Sequence, residues 1–441
     1  MFNRGVVCGA VLAAGIMAAS IGCHSKQEDR QVIRVVRNIG GREGFRLHWE
    51  AWKAAFERDN PGWSMELINV GDNNGSEFYQ TRIATNDLPE VIQTWDSTQY
   101  LADNGHLLPL SDEYYKNFGI PLPPSYKGKR YASMGGMQVL GIAVNRKMWA
   151  KIGVTEPPAT WDAFIDALAR LKAAGYKPLT YGAREWPAAV PLGMAIHTNL
   201  YDFLGEAIPA DSRPSWTRRR NAGEIRFATD PVARKIMENL IQLLTTCADK
   251  GVLSDGYSES QSEFYQGKSA TWLMGCWIGG DLEVNKVPFE IDYWPIPSMT
   301  GRKPIFVTGS TMQSGWAMTT SAQGAKQAKA LAVLEALYDP KVYQLWLNAE
   351  AQLATAKNVP PVIGPKSDWP ASKTFYASMA ANIEKYGTTR GAMVNLDDKP
   401  PISLEDSYMR VMQDILTGER DVDKLLGKLD AGWETGRKSE K

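Results

Sequence analysis

The chain has 441 residues, more than one small hydrophobic core needs, so two domains are expected. Its 49 Lys and Arg balance 49 Asp and Glu, and the formal net charge of +0 gives no global field that would draw in nucleic acid or an anionic membrane. The 15 Trp and 17 Tyr are many for this length, and such an excess suits either large cores and domain contacts or aromatic binding surfaces.

The N-terminus has the pattern of an export signal followed by a linker. Arg4 provides a positive start, and the apolar stretch after it is too short to span a bilayer. The "SIGC" sequence that ends at Cys23 is similar to a bacterial lipobox, although Leu is usual at the position of Ser20. We therefore expect a signal peptide over 1–22 and a lipidated linker over 23–31, with plain secretion as the alternative.

Few residues suit a metal site. Once Cys8 leaves with the signal and Cys23 carries lipid, Cys247 and Cys276 remain, and they have no metal-ligand spacing. Buried free thiols and a single disulfide are both compatible with an extracytoplasmic protein. The 4 His are not paired at a ligand spacing, which argues against zinc. The sequence predicts neither a metal nor a cofactor.

After the linker, strands and helices alternate along the chain. Residues 32–36 are typical of a strand, and Trp49, Trp52, Ala55 and Phe56 repeat at helical spacing before an Asn-Pro-Gly stop. "WSMELINV", "SEFYQTRIATND", "EVIQTW" and "STQYLADNG" then predict strand, helix, strand and helix. This alternation indicates βαβ units and a parallel sheet with covered faces.

The second part of the chain continues the α/β pattern. "QVLGIAVNRKMWAKIGV" predicts a buried strand that runs into a helix, and the next helix has Thr160 at its N-cap and Gly175 at its end. "SATWLMG", "FEIDYWPIP" and "GWAMTT" predict strands, and the basic run "TRRRNAGE" predicts a solvated loop. Further helices are expected over 192–204, 231–248, 323–338 and 404–433.

A series of motifs, spread over nearly all of the mature chain, resembles the extracellular solute-binding proteins of ABC importers, carbohydrate-binding branch. The strongest is "GIAVNRKMWAKIGVTEPPATWDAFIDALARLKAAGYKPL". The others are "FERDNPG", "ATNDLPEVIQTW" with "LADNGHLLPLSD", "EFYQGKSATWLMGCW", "AKNVPP" and "DILTGERDVDKLLGKLDAGW". One departure is Glu90, where Asp is usual, and it keeps the charge.

The resemblance implies an α/β, two-lobed periplasmic-binding-protein type II fold. Each lobe would be a mostly parallel sheet flanked by helices, and hinge crossings would join the lobes. By similarity, the N-terminal lobe comprises 32–140 plus 297–360, and the C-terminal lobe comprises 141–296 plus 361–441.

The neighbours Trp95 and Asp96 follow a predicted strand, where open parallel sheets bind ligands. A sugar presents a face of C–H groups that stacks on an aromatic ring, and hydroxyls that need carboxylate or amide partners. Trp beside Asp supplies both. Alternatively, Asp96 is only the N-cap of the next helix and Trp95 is a packing residue.

The resemblance extends the candidate site to further positions. Solvent loops are the alternative for Arg42, Glu43 and Asn74, whereas Trp272, Trp294, Trp346 and Trp433 are expected to be packing residues, as Trp316 also could be. The predicted ligand-binding residues are Arg42, Glu43, Asn74, Trp95, Asp96, Gln138, Trp186, Trp277, Gly309, Ser310 and Tyr408.

These features predict a binding protein without catalytic residues. It would hold a small-molecule carbohydrate in the cleft between the lobes and deliver it to ABC transporter permease subunits. It would be a monomer, attached outside the cytoplasm to a membrane by the lipid on Cys23, and would not bind nucleic acid. The alternatives are a ligand sensor for a membrane receptor, a binder of a non-sugar solute and, last, a secreted glycan-active enzyme, for which no catalytic motif is found.

Overall fold

The computed structural model describes residues 31–37, 43–70, 75–94, 97–117, 125–133, 136–200, 215–308, 315–357, 359–362, 364, 367–388, 400–401 and 404–439. The strands within these ranges are β1 (Gln31–Arg37), β2 (Trp63–Asn69), β3 (Val91–Gln93), β4 (Ala132–Ser133), β5 (Gly136–Met137), β6 (Val139–Asn145), β7 (Thr271–Gly275), β8 (Ile291–Trp294), β9 (Val307–Thr308), β10 (Trp316–Met318) and β11 (Leu353–Ala354).

The helices confirm most of the predicted ones. They are α1 (Glu43–Asp59), α2 (Gly75–Ala84), α3 (Thr98–Asp103), α4 (Arg146–Lys151), α5 (Trp161–Ala173), α6 (Val190–Asn199), α7 (Trp216–Asn221), α8 (Pro231–Cys247), α9 (Tyr257–Tyr265), α10 (Ala325–Ala336), α11 (Pro340–Glu350), α12 (Pro370–Tyr386), α13 (Leu404–Thr417) and α14 (Val422–Ser439). The helical region expected over 404–433 is thus two helices, with Gly418 at a positive φ between them.

Local signals explain why α5 forms where it does. Thr160 accepts a hydrogen bond from the backbone N–H of Ala163 at 3.2 Å, which satisfies one of the donors left free at a helix start. The helix then buries one apolar face, which includes Phe164 and Leu168. Gly175 follows its end with a φ of +84°, a conformation that glycine adopts without strain.

The first sheet has the strand order β2-β1-β3-β10-β4. β1 pairs in parallel with both β2 and β3, as βαβ units require. Side chains alternate across β1, so Ile33 and Val35 join one core while Val36 joins a second core on the other face. α1, α10 and α11 cover the first of these faces.

The second sheet has the order β7-β6-β8, and β9 also pairs with β6. All seven residues of β6 are buried, and the strand lies in the largest apolar core of the described chain. β11 pairs with β5 just before β6 begins, so residues 136–137 and 353–354 lie side by side. This pairing brings distant parts of the sequence to the start of the second sheet.

The expected α/β class is confirmed, but strand direction differs from the expectation of two mostly parallel sheets. β10 is antiparallel to β3 and β4, and β6 is antiparallel to β7, β8 and β9. β6 is where the chain leaves the first sheet, and β10 is where it returns. Neither strand follows a βαβ crossover within its own sheet, and an apolar pattern does not encode direction.

The basic run predicted to be a solvated loop is instead the helix α7 and the turn after it. Arg220 is buried and pairs with Asp430 of α14 at 3.2 Å. Asp430 also accepts hydrogen bonds from the backbone N–H groups of Phe227 and Ala228, each at 3.0 Å. Because the partner carboxylate lies 210 positions away in the chain, the run resembled a solvent-exposed segment.

The Trp residues assigned to packing do pack. The side chains of Trp272, Trp294, Trp346 and Trp433 are all nearly completely buried, and so is Trp316. Cys247 and Cys276 are buried free thiols, so the free-thiol alternative applies. Across the described ranges, no helix is both long enough and apolar enough to cross a membrane.

Candidate functional site

Three aromatic side chains from separate segments of the chain, two 3-10 turns and the start of α9, lie together. We call Trp186, Tyr257 and Trp277 the aromatic cluster. The Trp186 ring stacks on the Tyr257 ring, with centroids 5.3 Å apart and an interplanar angle of 28°. The centroids of the Trp186 and Trp277 rings are 6.0 Å apart, and their planes meet at 54°. The second angle makes a corner between two indole rings. The two Trp residues predicted for this site are therefore neighbours, although 91 positions separate them.

The aromatic cluster runs from the core to the surface. The Tyr257 ring packs on the buried ring of Trp272, with centroids 5.7 Å apart, while Trp186 is 37% exposed. Gln261 donates a hydrogen bond to the Tyr257 hydroxyl at 3.3 Å. A half-exposed indole supported from behind by a rigid ring is a suitable surface for an apolar ligand face.

Trp277 takes its position because the residue two before it is glycine. A Cβ at Gly275 would lie only 1.8 Å from the indole Cζ3 of Trp277, so the ring occupies the space of a missing side chain. Gly275 ends β7 and Trp277 follows in a short 3-10 turn over Cys276–Asp281. The "GCWIGG" sequence thus folds the indole back onto the end of its own strand.

Charged groups flank the aromatic cluster beside Trp186. Arg184 pairs with Glu185 and with Glu259, both at 3.1 Å. The Glu259 carboxylate also accepts hydrogen bonds from its own backbone N–H and from that of Gly256, and these bonds, together with Arg184, hold its pKa below the usual range. Ionised acceptors and a guanidinium donor therefore lie next to an exposed aromatic ring.

Tyr408, the predicted contact on α13, is also near this region. α13 packs against the turn Trp186–Ala189 and against α6. The Tyr408 hydroxyl is buried and has no hydrogen-bond partner among the described residues. Burial raises the pKa of this phenol above its usual range, so the hydroxyl stays neutral and can both donate and accept.

Gln138, the predicted contact before β6, belongs to a polar group that also contains Glu350 and Gln352. We call these three residues the Gln–Glu–Gln cluster. Gln138 Nε2 donates to Glu350 Oε2 at 3.2 Å, and Gln352 Nε2 donates to the same oxygen. Sequence reasoning missed Glu350 and Gln352, because only the β5–β11 pairing brings them to Gln138.

Cys276 connects the two clusters. Its Sγ accepts a hydrogen bond from the backbone N–H of Val139 at 3.3 Å and donates to the backbone carbonyl of Glu350 at 3.6 Å. Burial raises the pKa of this thiol to about 12, so it remains protonated. Val139 follows Gln138 and Trp277 follows Cys276, so the segments that carry the aromatic and polar groups are adjacent at the start of β6.

The carboxyl end of the first sheet carries two further polar side chains that sequence reasoning missed. Arg37 ends β1 and its buried guanidinium lies over the rings of Phe45, at 4.7 Å, and Trp316, at 5.2 Å. Gln93 ends β3, and its buried Oε1 has no partner among the described residues. The available signal was a polar residue at the last position of an apolar strand, the edge where open α/β sheets bind ligands.

Other predicted residues are separate from these groups or lie outside the described residues. Glu43 is exposed in the first turn of α1, where a hydrogen bond from Arg46 lowers its pKa, and the structure does not bring it to either cluster. The predictions outside the described residues are those for Cys23, Arg42, Asn74, Trp95, Asp96, Gly309 and Ser310.

A polar groove of about 600 Å³ lies between α13 and α14. Arg410, Asp414 and Lys428 line it, and no residue of the aromatic or Gln–Glu–Gln clusters does. Within the described ranges, no group of three or more His, Cys, Asp or Glu side chains could hold a metal ion.

The sequence profile of the family described as bacterial extracellular solute-binding protein matches residues 48–344. A search of curated sequences gives no match.

Solved structures are similar over almost their whole length. A chitin oligosaccharide binding protein superposes with a TM-score of 0.73 at 21% identity, over 93% of this chain and 100% of that one. A sugar transporter protein from Bacillus licheniformis in complex with stachyose has a TM-score of 0.64 at 16% identity, over 92% of this chain and 100% of that one. A probable secreted solute-binding lipoprotein from Streptomyces coelicolor has a TM-score of 0.69 at 16% identity, over 93% of this chain and 99% of that one. At these identities the similarity concerns the fold.

Proposed function

The chain belongs to the family of bacterial extracellular solute-binding proteins, and from that premise we propose that its solute is a sugar or oligosaccharide, which it delivers to an ABC permease. The family binds solutes and does not catalyse reactions on them. The observation that carries the sugar assignment is the corner formed by Trp186 and Trp277 beside polar side chains.

A sugar needs both kinds of surface. The C–H face of a pyranose stacks on an aromatic ring, and Trp186 offers a half-exposed one. The hydroxyls need donors and acceptors in fixed positions, for which Glu259, Tyr408 and Gln138 are candidates. Two of the similar structures are described as binding chitin oligosaccharide and stachyose, which supports this class of solute.

We propose that the solute lies between two lobes, with the boundaries predicted from the sequence. Trp186, Trp277 and Tyr408 would provide the contacts of the C-terminal lobe, and Trp95, Asp96 and the carboxyl end of the first sheet those of the N-terminal lobe. A solute that touches both lobes only when they are closed stabilises the closed state by its differential affinity. The permease would recognise that state.

The lipid anchor is part of the same proposal. A lipidated Cys23 would attach the mature chain to the outer face of a membrane and keep it near the permease. One of the similar structures is described as a lipoprotein, which supports this placement. Metabolic labelling with a palmitate analogue would test it, because a Cys23→Ser chain should lose the label that the unchanged chain carries.

Thermal melting of the mature chain with candidate solutes tests the sugar assignment. The panel comprises chitin oligosaccharides, stachyose, simple disaccharides, peptides and polyamines. A sugar at about 100 times its Kd stabilises the folded state by about 2.7 kcal/mol and raises the melting temperature. A rise with peptides or polyamines alone would replace the sugar assignment with another solute.

Trp186→Ala tests the aromatic cluster directly. The variant should fold and lose most of the sugar-induced rise, because the exposed face of the indole no longer stacks on the solute. Trp63→Ala is the matched control, since Trp63 is another partly buried indole but starts β2 in the first sheet. Equal loss of the rise in both variants would show that the Trp186 ring has no special role.

A further inference from the structure

The Gln–Glu–Gln cluster has an orientation that simple chemistry fixes. A carboxylate only accepts hydrogen bonds, so the amide nitrogens of Gln138 and Gln352 must both face Glu350 Oε2. Turning either amide would place a carbonyl oxygen against the carboxylate. Glu350 therefore directs both amide oxygens away from itself.

The two amide oxygens are buried without a donor. Gln138 Oε1 and Gln352 Oε1 are shielded from solvent, and neither has a hydrogen-bond partner in the described part of the chain. Gln352 is only 2% exposed. Because buried polar atoms are normally satisfied, two open acceptors in one cluster indicate a place for a donor that the described residues do not supply.

The backbone is adapted to hold Gln352 in this position. A Cβ at Gly136 would lie 2.2 Å from Gln352 Oε1 and 2.7 Å from Gln352 Cβ. Gly136 pairs with Ala354 in the β5–β11 ladder, so the two segments cannot separate to relieve a clash without breaking that pairing. The absence of a side chain at this position therefore leaves space for the amide.

The cluster is also adjacent to the aromatic site. The Cys276 thiol forms hydrogen bonds with the backbone N–H of Val139 and the backbone carbonyl of Glu350, and Trp277 follows Cys276 in the chain. The segment that carries the open acceptors therefore lies beside the segment of Trp277, which is itself buried against the exposed Trp186 ring. The buried oxygens and the aromatic ring are independent observations from neighbouring segments of the chain.

We propose that Gln138 and Gln352 are paired hydrogen-bond acceptors of the ligand site, and that they select a solute with hydroxyl or amide N–H donors at this end. Glu350 is a positioning residue, which orients both amides without touching the solute. This inference rests on the proposed function and deepens it. Carboxylate and sulfate groups only accept at neutral pH, so a solute that presents one of them here is rejected.

Isothermal titration calorimetry of the mature chain tests the proposal. The ligands are the sugar that raises the melting temperature in the panel of solutes above and the monodeoxy analogues of that sugar. Gln352→Met and Gln138→Met should each weaken binding about tenfold or more, because each removes an acceptor from a buried donor. Gln344→Met is the matched control, because Gln344 lies on the same helix as Glu350 but outside the cluster, and it should bind like the unchanged protein.

The monodeoxy analogues distinguish a ligand contact from a structural role. The unchanged protein should bind one analogue at least about tenfold more weakly than the parent sugar, and Gln352→Met should lose that discrimination, because the lost hydroxyl and the lost acceptor are partners. Glu350→Gln should weaken the discrimination as well, since an amide at position 350 no longer fixes its neighbours.

If Gln352→Met binds the sugar and its analogues like the unchanged protein, the acceptor role is wrong while the sugar function stands. If the unchanged protein binds no sugar, the proposed function fails first, and this inference fails with it. Should Gln352→Met not fold, the partly buried Gln138→Met provides the same comparison.

Discussion

The buried His48 makes the stability of the protein depend on pH. The imidazole is 0% exposed, and neither ring nitrogen has a hydrogen-bond partner among the described residues. Its neighbours are the indole rings of Trp52 and Trp346, both with centroids at 5.7 Å, and Trp316 at 6.3 Å. Burial, and secondarily the charge of Arg37, lower the pKa of His48 well below its usual value of 6.5.

The sign follows from proton linkage. In the folded state His48 stays neutral, whereas in the unfolded chain it takes up a proton below its usual pKa of 6.5. The stabilisation is therefore complete above pH 6.5 and is lost as the pH falls below it. One proton gives a slope of about 1.4 kcal/mol per pH unit, so His48 accounts for about 2 kcal/mol between its usual pKa and about pH 5.

His48→Phe isolates this contribution. Phenylalanine has a ring that fits among indoles, takes up no proton and removes two buried nitrogens without partners. We expect the variant to be more stable by about 1–3 kcal/mol at neutral pH. Below pH 6.5, its unfolding free energy should change with pH less steeply than that of the unchanged protein, by about 1.4 kcal/mol per pH unit. His197, which burial gives a pKa of about 4, contributes a similar slope in both proteins and cancels in the comparison.

Equilibrium unfolding in urea between about pH 5 and about pH 8 measures the difference. His106→Phe is the matched control, because it replaces a partly exposed histidine on the surface. Identical pH slopes for the unchanged protein and His48→Phe would refute the reasoning. They would mean that the imidazole is protonated when folded or that it finds a partner.

Two further predictions concern stability. Glu90→Ala should lower the unfolding free energy by about 3–5 kcal/mol. The buried carboxylate accepts hydrogen bonds from the backbone N–H of Arg34 at 2.8 Å, from its Nε at 3.3 Å and from Lys326 Nζ at 2.7 Å. Unfolding in urea measures the loss beside the exposed Glu66→Ala as control, and equal losses in both variants would contradict the prediction. Thr160→Ala should cost about 1 kcal/mol by removing the N-cap of α5, and a melting temperature unchanged from that of the parent protein would argue against it.

The sequence predicted those parts of the fold that depend on local signals. Thr160 and Gly175 mark the ends of α5 because a cap and a stop act within a few residues. Strand direction in β6 and β10 could not be predicted, because direction depends on how the chain passes between the sheets. Arg220 was misassigned for the same reason, since Asp430 lies far away in the sequence.

The candidate site divides in a similar way. Trp186 and Trp277 were predicted because the resemblance to a family places aromatic residues at these positions, and the structure brings the two rings together. Glu350 and Gln352 could not be found, because nothing in "NAEAQLATA" indicates that β11 lies beside β5. The role proposed for them follows from the open acceptor atoms of Gln138 and Gln352, which are a property of the folded chain.

The buried state of the two free thiols has a practical consequence for optical sensing. Burial raises the pKa of Cys247 to about 11 and that of Cys276 to about 12, so neither is a reactive thiolate near neutral pH. A cysteine introduced on the surface would then take a thiol-reactive dye with little background from these two. Val284 is 61% exposed, so Val284→Cys would give such a dye an accessible thiol, and its emission could be compared with and without solute.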